Sequence, residues 1–177
     1  MIVVSDSTPL IHIAKVGRLD ILFSLYQEII ITEEVYREVV EEGLILEQKD
    51  AVVIKEYIGK RIHVKNANSS SSYLVEKYSI HKGEADSITL ALEINALILM
   101  NERDGRNAAK SEGLKVKGSI GVLFDALREE VIDREEALGI LSRFRDSPQD
   151  FWIEADIIKL AIEKISLEKK ADKHQVG

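Results

Sequence analysis

Short apolar runs alternate with amphipathic helical stretches along the whole chain. The predicted strands are brief and rich in Ile or Val: Ile2–Ser5, Glu28–Ile31, Leu97–Met100, Lys115–Lys117 and, with a weaker pattern, Ile62–Lys65. Several of these runs are apolar at consecutive positions, which is typical of strands buried on both faces. The alternation predicts an α/β protein with a central, mostly parallel sheet and helices on both sides.

Capping residues mark where the intervening helices begin and end. Thr32 suits the N-cap of a helix over Glu33–Glu42, and Gly43 suits a left-handed stop after it. Pro9 fits the first turn of an early helix that runs through Ala14. Further helices are predicted to begin at Gly83, at Gly118 or Ser119, at Arg134 and at Glu154.

The chain is expected to form one domain over residues 1–168, followed by a polar tail, Lys169–Gly177. A serine-rich stretch, Asn66–Ser72, is the low-complexity segment of the sequence. It predicts a surface loop and helix cap and not a linker, because neither flanking part is long enough to fold alone.

The composition and charge of the chain exclude some kinds of functional site. The 177 residues contain no cysteine, which excludes disulfides and thiolate metal sites. The sequence shows no signal peptide and no apolar run of about 20 residues, so a cytoplasmic protein without a membrane span is expected. The net charge of −7 argues against broad attraction to nucleic acid, so a nuclease would need bound metal and local basic residues to attract phosphate.

Carboxylates follow two of the predicted strands. Asp6 comes after the first strand, and Asn101-Glu102-Arg103-Asp104 comes after Leu97–Met100. Ligands of open parallel sheets bind beyond the carboxyl ends of the strands, so these residues are candidates for a site. The structural alternative for Asp6 is a helix N-cap or turn residue before Pro9.

Two predicted helices carry further candidate carboxylates. Glu38 lies at the edge of an apolar stripe, where helical periodicity alone favours a solvated boundary residue. Asp86 lies in the first turn of a largely apolar helix, although the helix dipole also favours a carboxylate there. Glu84, two residues earlier, shares that explanation more strongly.

Carboxylates from separate segments converge stably only around a cation, since otherwise they repel one another. Oxygen ligands without cysteine favour Mg²⁺ or Mn²⁺. Such ions can polarise a phosphodiester, so the sequence predicts phosphodiester hydrolysis without a covalent protein intermediate.

Taken in order, four segments make the chain resemble the PIN-domain family, and within it the VapC-like branch of prokaryotic toxins. They are Val3-Val4-Ser5-Asp6-Ser7-Thr8-Pro9-Leu10-Ile11, Val35-Tyr36-Arg37-Glu38-Val39, Gly83-Glu84-Ala85-Asp86-Ser87-Ile88 and Leu99-Met100-Asn101-Glu102-Arg103. The resemblance implies a three-layer α/β/α sandwich with an acidic pocket at the strand ends. It also implies Mg²⁺- or Mn²⁺-dependent RNA cleavage by a homodimer that an antitoxin restrains.

The resemblance also assigns residues. It implies that Asp6, Glu38 and Asp86 are metal-binding catalytic acids, with Glu84 adjacent to Asp86. Where the family has Thr, one residue and then Asp, this chain has Met100, Asn101 and Glu102, with Asp104 two residues later, so Glu102 and Asp104 both remain candidates for the fourth acid. Supporting roles fall on Glu84, on Asn101 and on a hydroxyl, either Ser7 or Thr8. This departure leaves open an alternative function, a degenerate PIN domain that binds RNA or protein without catalysis.

Basic residues after the third strand are candidate RNA contacts. Arg103, Arg106 and Lys110 would lie on one face of a helix and contact phosphates, although such residues more often form a solvated face. His12 is expected to be a packed histidine, and Trp152 with Phe151 an anchor for the last helix, with base stacking as the second interpretation.

Two other phosphate-handling classes fit less well. A phosphatase of the haloacid dehalogenase type needs a second Asp two residues after the first, and here that position is Thr8. A response-regulator receiver needs an adjacent acidic pair after its first strand, which this sequence lacks.

Overall fold

A computed structural model describes residues 1–172, with side chains through residue 167. The chain forms two compact units, residues 1–122 and residues from 123 onward. The first unit contains an all-parallel five-stranded sheet in the order β3-β2-β1-β4-β5. The strands are β1 (Ile2–Ser5), β2 (Glu28–Ile31), β3 (Ile62–Val64), β4 (Leu97–Leu99) and β5 (Val116–Lys117).

The strand positions confirm the predicted fold class. Val4 aligns with Ile30 on one side and Ile98 on the other, and Val3 aligns with Ile29 and Leu97 in the next row. Both rows are buried, because neighbouring residues of a strand face opposite sides and helices cover each side. The result is the predicted α/β/α arrangement.

The helices of the first unit are α1 (Ser7–Lys15), α2 (Leu19–Leu25), α3 (Glu33–Tyr36), α4 (Gly43–Ile45), α5 (Lys49–Tyr57), α6 (Ser72–Tyr78), α7 (Lys82–Glu93) and α8 (Arg103–Ser111). A π-helical segment, Arg37–Glu42, joins α3 to α4. Helices α6, α7 and α8 contribute to one apolar cluster with Val4, Ile30 and Ile98. Helix α1 packs with α2, α5 and the π-helical segment.

The stop predicted at Gly43 is wrong. Gly43 has φ −58° and continues the helix into α4. A Cβ atom built on Gly43 would lie 2.6 Å from the Cβ of Ala51, so the glycine permits the close approach of α4 and α5.

The second unit begins within α9 (Ser119–Arg128) and contains α10 (Arg134–Asp146), α11 (Pro148–Phe151) and α12 (Ala155–Asp172). Phe151 is buried, with its ring centroid 4.7 Å from that of Phe144, whereas Trp152 is 68% exposed. Phe151 is therefore the buried member of the pair, and the anchoring role expected of Trp152 stays a prediction. The predicted domain boundary at residue 168 lies inside α12, and residues 173–177 lie outside the described part of the chain. None of the described helices is both long and apolar enough to cross a membrane.

Candidate active site

Asp6 lies where the chain topology of the sheet reverses. β1 is the middle strand, and the chain proceeds from it to β2 on one side and returns to β4 on the other. The backbone N–H of Asp6 donates to the carbonyl of Leu99 at 2.9 Å, which holds the ends of β1 and β4 together. Ligands of doubly wound sheets bind at this kind of position.

The carboxylate of Asp6 does not cap helix α1, which was the alternative explanation for an Asp at this position. Asp6 has N-cap backbone angles, but its side chain makes no capping hydrogen bond to α1. The residue is only 6% exposed. Burying a carboxylate that does not cap a helix costs folding free energy, so a functional explanation for Asp6 is favoured.

Three other carboxylates act on Asp6. Burial is the largest cause that raises the pKa of Asp6 to about 7, and the backbone N–H of Ser7 opposes it. The charges of Glu84, Glu38 and Glu102 contribute to the same rise. These four residues, which we call the acidic cluster, come from the ends of two strands and from two helical segments.

Glu84 forms the second buried member of the cluster. It is 8% exposed, and its Oε2 accepts from the backbone N–H of His81 at 2.9 Å. Burial raises the pKa of Glu84, the backbone and charge of His81 lower it, and the charges of Glu102 and Asp104 raise it again. A Cβ atom at Gly105 would lie 2.5 Å from Glu84 Oε1, so α8 lies directly against this carboxylate.

Asp86, the predicted third acid, makes different contacts. Its carboxylate accepts hydrogen bonds from the hydroxyl of Ser71 and from Lys82 Nζ, the latter at 2.6 Å. Successive helical residues turn by about 100°, so two residues apart they face nearly opposite sides. Glu84 therefore faces Asp6, and Asp86 faces the serine-rich loop. A ligand role for Asp86 stays a prediction, but the structure favours Glu84.

From the sequence, Glu84 has only a supporting role, although the spacing of apolar residues in α7 indicates that its side chain is buried. Glu84 shares a helical stripe with the buried residues Ile88 and Ala91, whereas the stripe of Asp86 is mixed and holds Lys82 and Glu93 as well as the buried Leu90. The buried stripe of α7 is the one that faces the sheet.

Glu38 lies on the π-helical segment at the exposed edge of the cluster. The hydroxyl of Ser7 donates a short hydrogen bond to Glu38 Oε2, and a Cβ atom at Gly83 would lie 3.6 Å from Oε1. A π-helical turn inserts a residue into an α-helix and is common at functional sites. Glu38 is exposed, as regular periodicity indicated for a boundary residue, and its contact with Ser7 is the feature that periodicity did not show.

Glu102 and Asp104 both lie at the exposed start of α8. Glu102 has the N-cap position without a capping hydrogen bond and acts electrostatically on both Asp6 and Glu84. Asp104 is among the charges that act on Glu84. The structure therefore favours Glu102 as the fourth member.

Asn101 fixes the turn that carries Glu102. Its Nδ2 lies 3.0 Å from His12 Nδ1 and donates to Ser119 Oγ at 3.0 Å, and its Oδ1 accepts from the backbone N–H of Ser119 at 2.8 Å. His12 is fully buried, as predicted, and burial followed by the charge of Lys15 lowers its pKa to about 4. Asn101 thus joins the end of β4 to α1 and α9.

The predicted basic residues differ in their roles. Arg106 is partly buried and donates from Nη1 to the carbonyl of Met100 at 2.8 Å, and burial lowers the pKa of its guanidinium. Arg106 therefore holds the turn between β4 and α8. Arg103 and Lys110 are exposed, and their contact with RNA phosphates stays a prediction.

The chemistry of the acidic cluster fits a hard divalent cation. Its ligand atoms are all carboxylate oxygens, two of its four residues are buried, and the charges of the others help to raise the pKa of Asp6. The side chains do not stand in ligand geometry: within residues 1–167, no group of three His, Asp or Glu side chains is placed to hold a metal ion. Asp6, Glu38, Glu84 and Glu102 are the residues that would hold one.

One of the comparisons with known proteins identifies a family. A family model described as a PIN domain matches residues 2–167. Among solved structures, the chain is similar to a PilT N-terminus domain protein from the hyperthermophilic archaeon Sulfolobus solfataricus P2. The two are 17% identical, the alignment covers 72% of this chain and 94% of the other, and the TM-score is 0.44. No curated protein matches the chain.

Proposed function

Because the chain belongs to the PIN domain family, whose members are generally nucleases and typically use divalent metals, we propose that it is a Mg²⁺- or Mn²⁺-dependent endoribonuclease. One observation carries the proposal. Asp6 is buried at the end of the middle strand, and the charges of carboxylates from three other segments act on it. A protein gains nothing in stability from such an arrangement without a cation.

Each member of the acidic cluster has a definable task. Asp6 and Glu84 form the buried floor, and the backbone N–H of His81 orients Glu84. Glu38 and Glu102 form the exposed rim, where Ser7 orients Glu38. A bound Mg²⁺ or Mn²⁺ would supply Lewis acidity that neutralises the phosphodiester and lowers the pKa of an attacking water. The rim carboxylates are the residues that can accept a proton from that water.

The substrate and biological context follow from the resemblance to the VapC-like branch. We infer that the protein cleaves RNA in the cytoplasm as the toxin of a toxin–antitoxin pair, as a homodimer and under restraint by an antitoxin protein. Arg103 and Lys110, exposed on α8, would contact phosphates of the RNA. The net charge of −7 makes such local cations necessary.

Cleavage of labelled RNA in Mn²⁺ tests the proposal directly. The wild type should cleave only with the metal, and Asp6→Asn should reduce cleavage to background while remaining folded. Asp20→Asn is a matched control, because Asp20 is an exposed carboxylate in α2 and its charge is not among the causes given for the pKa of Asp6 or of Glu84. Absence of metal-dependent cleavage by the folded wild type would contradict the proposal.

Calorimetry separates the enzyme from the alternative, a PIN domain that only binds RNA or protein. A saturable Mn²⁺ site that Asp6→Asn removes supports the enzyme. No saturable site in the folded wild type would support the non-catalytic module.

A further inference from the structure

A cavity of about 500 Å³ adjoins the acidic cluster. Its walls come from α3, the serine-rich loop over residues 66–72 and the first turns of α7. Glu34, which lines the cavity, and Glu38, which belongs to the acidic cluster, both flank Gly83: a Cβ atom there would lie 3.4 Å from Glu34 Cγ and 3.6 Å from Glu38 Oε1. The cavity wall at Glu34 and the acidic cluster at Glu38 therefore meet at Gly83, one helical turn apart.

The serine-rich wall is fixed in place by hydrogen bonds. Glu93 accepts from the backbone N–H groups of Asn68 at 2.9 Å and Ser69 at 2.7 Å. At the other end, Asn66 and Glu33 exchange two hydrogen bonds of 2.9 Å. A wall that is already ordered loses little conformational entropy when a ligand binds.

Hydroxyl groups give this wall unused hydrogen-bonding capacity. Ser70 Oγ and Ser72 Oγ lie 2.9 Å apart and share one hydrogen bond. The backbone N–H of Ser72 also donates to Ser70 Oγ at 3.3 Å. A hydroxyl has one proton and two acceptor sites, so the pair retains one proton and about two acceptor sites for a ligand. Asn66 Nδ2 uses one N–H on Glu33 and has a second.

The charges around the cavity are already matched. Lys82 pairs with Asp86 at 2.6 Å, and Arg37 pairs with Glu34 and, at 2.6 Å, with Glu42. With Glu33 also on the wall, no excess positive charge is left to attract a phosphate. The cavity suits a neutral group that is rich in donors and acceptors.

We propose that this cavity is a subsite for the nucleobase and ribose of a nucleotide next to the cleaved phosphodiester. The inference rests on the proposed ribonuclease function and names the part of the chain that selects the RNA sequence. Single-stranded RNA is recognised by hydrogen bonds to base edges and by stacking on planar groups that include the Arg guanidinium. The hydroxyls of Ser70 and Ser72 would read the base or ribose, and Arg37 would stack on it. The volume lies within the range of roughly 300–1,000 Å³ that is usual for small-ligand sites.

Binding of RNA without cleavage tests the proposal. The full chain carrying Asp6→Asn would be titrated with short single-stranded RNAs of each homopolymer and followed by amide NMR shifts and fluorescence anisotropy. We expect shifts in residues 69–72 and at Lys82, together with a preference for one base. Ser70→Ala with Ser72→Ala should weaken binding of the preferred RNA by roughly tenfold and reduce the preference. Ser24→Ala replaces an exposed serine of α2 that does not line the cavity, and it should change neither.

The outcomes separate this proposal from the ribonuclease function itself. Shifts confined to residues outside the cavity, or unchanged affinity and preference in the serine double variant, would overturn the subsite. If that happens while the wild type cleaves RNA, the nuclease proposal stands alone. RNA that binds in the cavity of a wild type without metal-dependent cleavage would support the subsite as an RNA-binding site and overturn the nuclease.

Discussion

The hydroxyl of Ser7, in the first turn of α1, donates a hydrogen bond to the carboxylate of Glu38, which lies 31 residues later on the π-helical segment. This contact joins two elements at the edge of the acidic cluster and sets the orientation of an exposed Glu side chain. The sequence offered two hydroxyl candidates for the supporting role, Ser7 and Thr8. The contact favours Ser7, because its hydroxyl is the one that donates to a carboxylate.

Ser7→Ala should therefore impair catalysis more than folding. Loss of a group that orients a ligand typically reduces activity by about 10–100-fold. We expect that reduction in Mn²⁺-dependent RNA cleavage, with little change in the midpoint of thermal unfolding. Ser7→Thr should retain much of the activity and Thr8→Ala nearly all. A larger loss in Thr8→Ala would reverse the assignment.

Glu84 and Asp86 allow a comparison within one helix. Glu84→Gln removes a charge that acts on Asp6, so cleavage should fall by about 100-fold or more. Asp86→Asn removes a charge that is paired with Lys82 and should cost far less. Both replacements keep the side-chain shape, and steady-state cleavage rates measure the difference. Equal or inverse losses would restore Asp86 as the third acid.

The fourth acid is tested at the start of α8. Glu102→Gln should reduce cleavage and weaken Mn²⁺ binding in calorimetry, because Glu102 acts electrostatically on both buried acids. Asp104→Asn should have the smaller effect, because the charge of Asp104 helps to raise the pKa of Glu84 but is not among the causes given for Asp6. The opposite order would assign the site to Asp104.

The raised pKa of Asp6 predicts a pH-dependent stability in the metal-free protein. The pKa is about 7 in the folded state and 3.8 for an ordinary Asp, so between these values the folded state binds a proton that the unfolded state has lost. The free energy of unfolding that Asp6 contributes should fall as pH rises from about 4 to about 7 and then level off.

Asp6→Asn lacks this titration. In a chelator, its melting temperature should exceed that of the wild type by a margin that grows between pH 4 and pH 7. His12, whose lowered pKa of about 4 makes the fold less stable as pH falls from 6.5, is present in both proteins, so its effect cancels in the difference. A margin that is constant with pH would contradict the assignment of the pKa shift to Asp6.

Gly105 is expected to be essential for the packing behind Glu84. A Cβ atom there would lie 2.5 Å from Glu84 Oε1 and 2.6 Å from Met100 Sδ, so Gly105→Ala must displace the carboxylate or the sulfur. We expect a loss of ~1–3 kcal/mol in the free energy of unfolding by urea, and reduced cleavage. Gly139→Ala is the control: its Cβ would meet no atom within 4 Å, so it should stabilise α10 by about 0.5–1 kcal/mol. A stabilised Gly105→Ala would show that the space beside Glu84 is open.

Local sequence patterns predicted all five strands of the sheet. The strands β1 and β2 have the predicted bounds, and β3, β4 and β5 differ by one residue at an end, because unbroken Ile and Val runs have few alternatives to a buried strand. The shorter helices α2 and α5 were not predicted, since they lack distinct boundary signals, and α6 was indicated only by the helix cap expected in the serine-rich stretch.

The sequence by itself therefore determined the α/β class and the position of Asp6, because the end of a buried strand is a local property and the polarity of a parallel sheet fixes where such ends meet. Tertiary structure decided which of Glu84 and Asp86 faces Asp6, which hydroxyl contacts Glu38 and that Asn101 joins β4 to α1 and α9. These choices depend on how each helix is rotated against the sheet, and that rotation is set by packing between residues far apart in sequence. The position of Asp6 could be predicted from its neighbours in the chain, but the set of carboxylates that surrounds it could not.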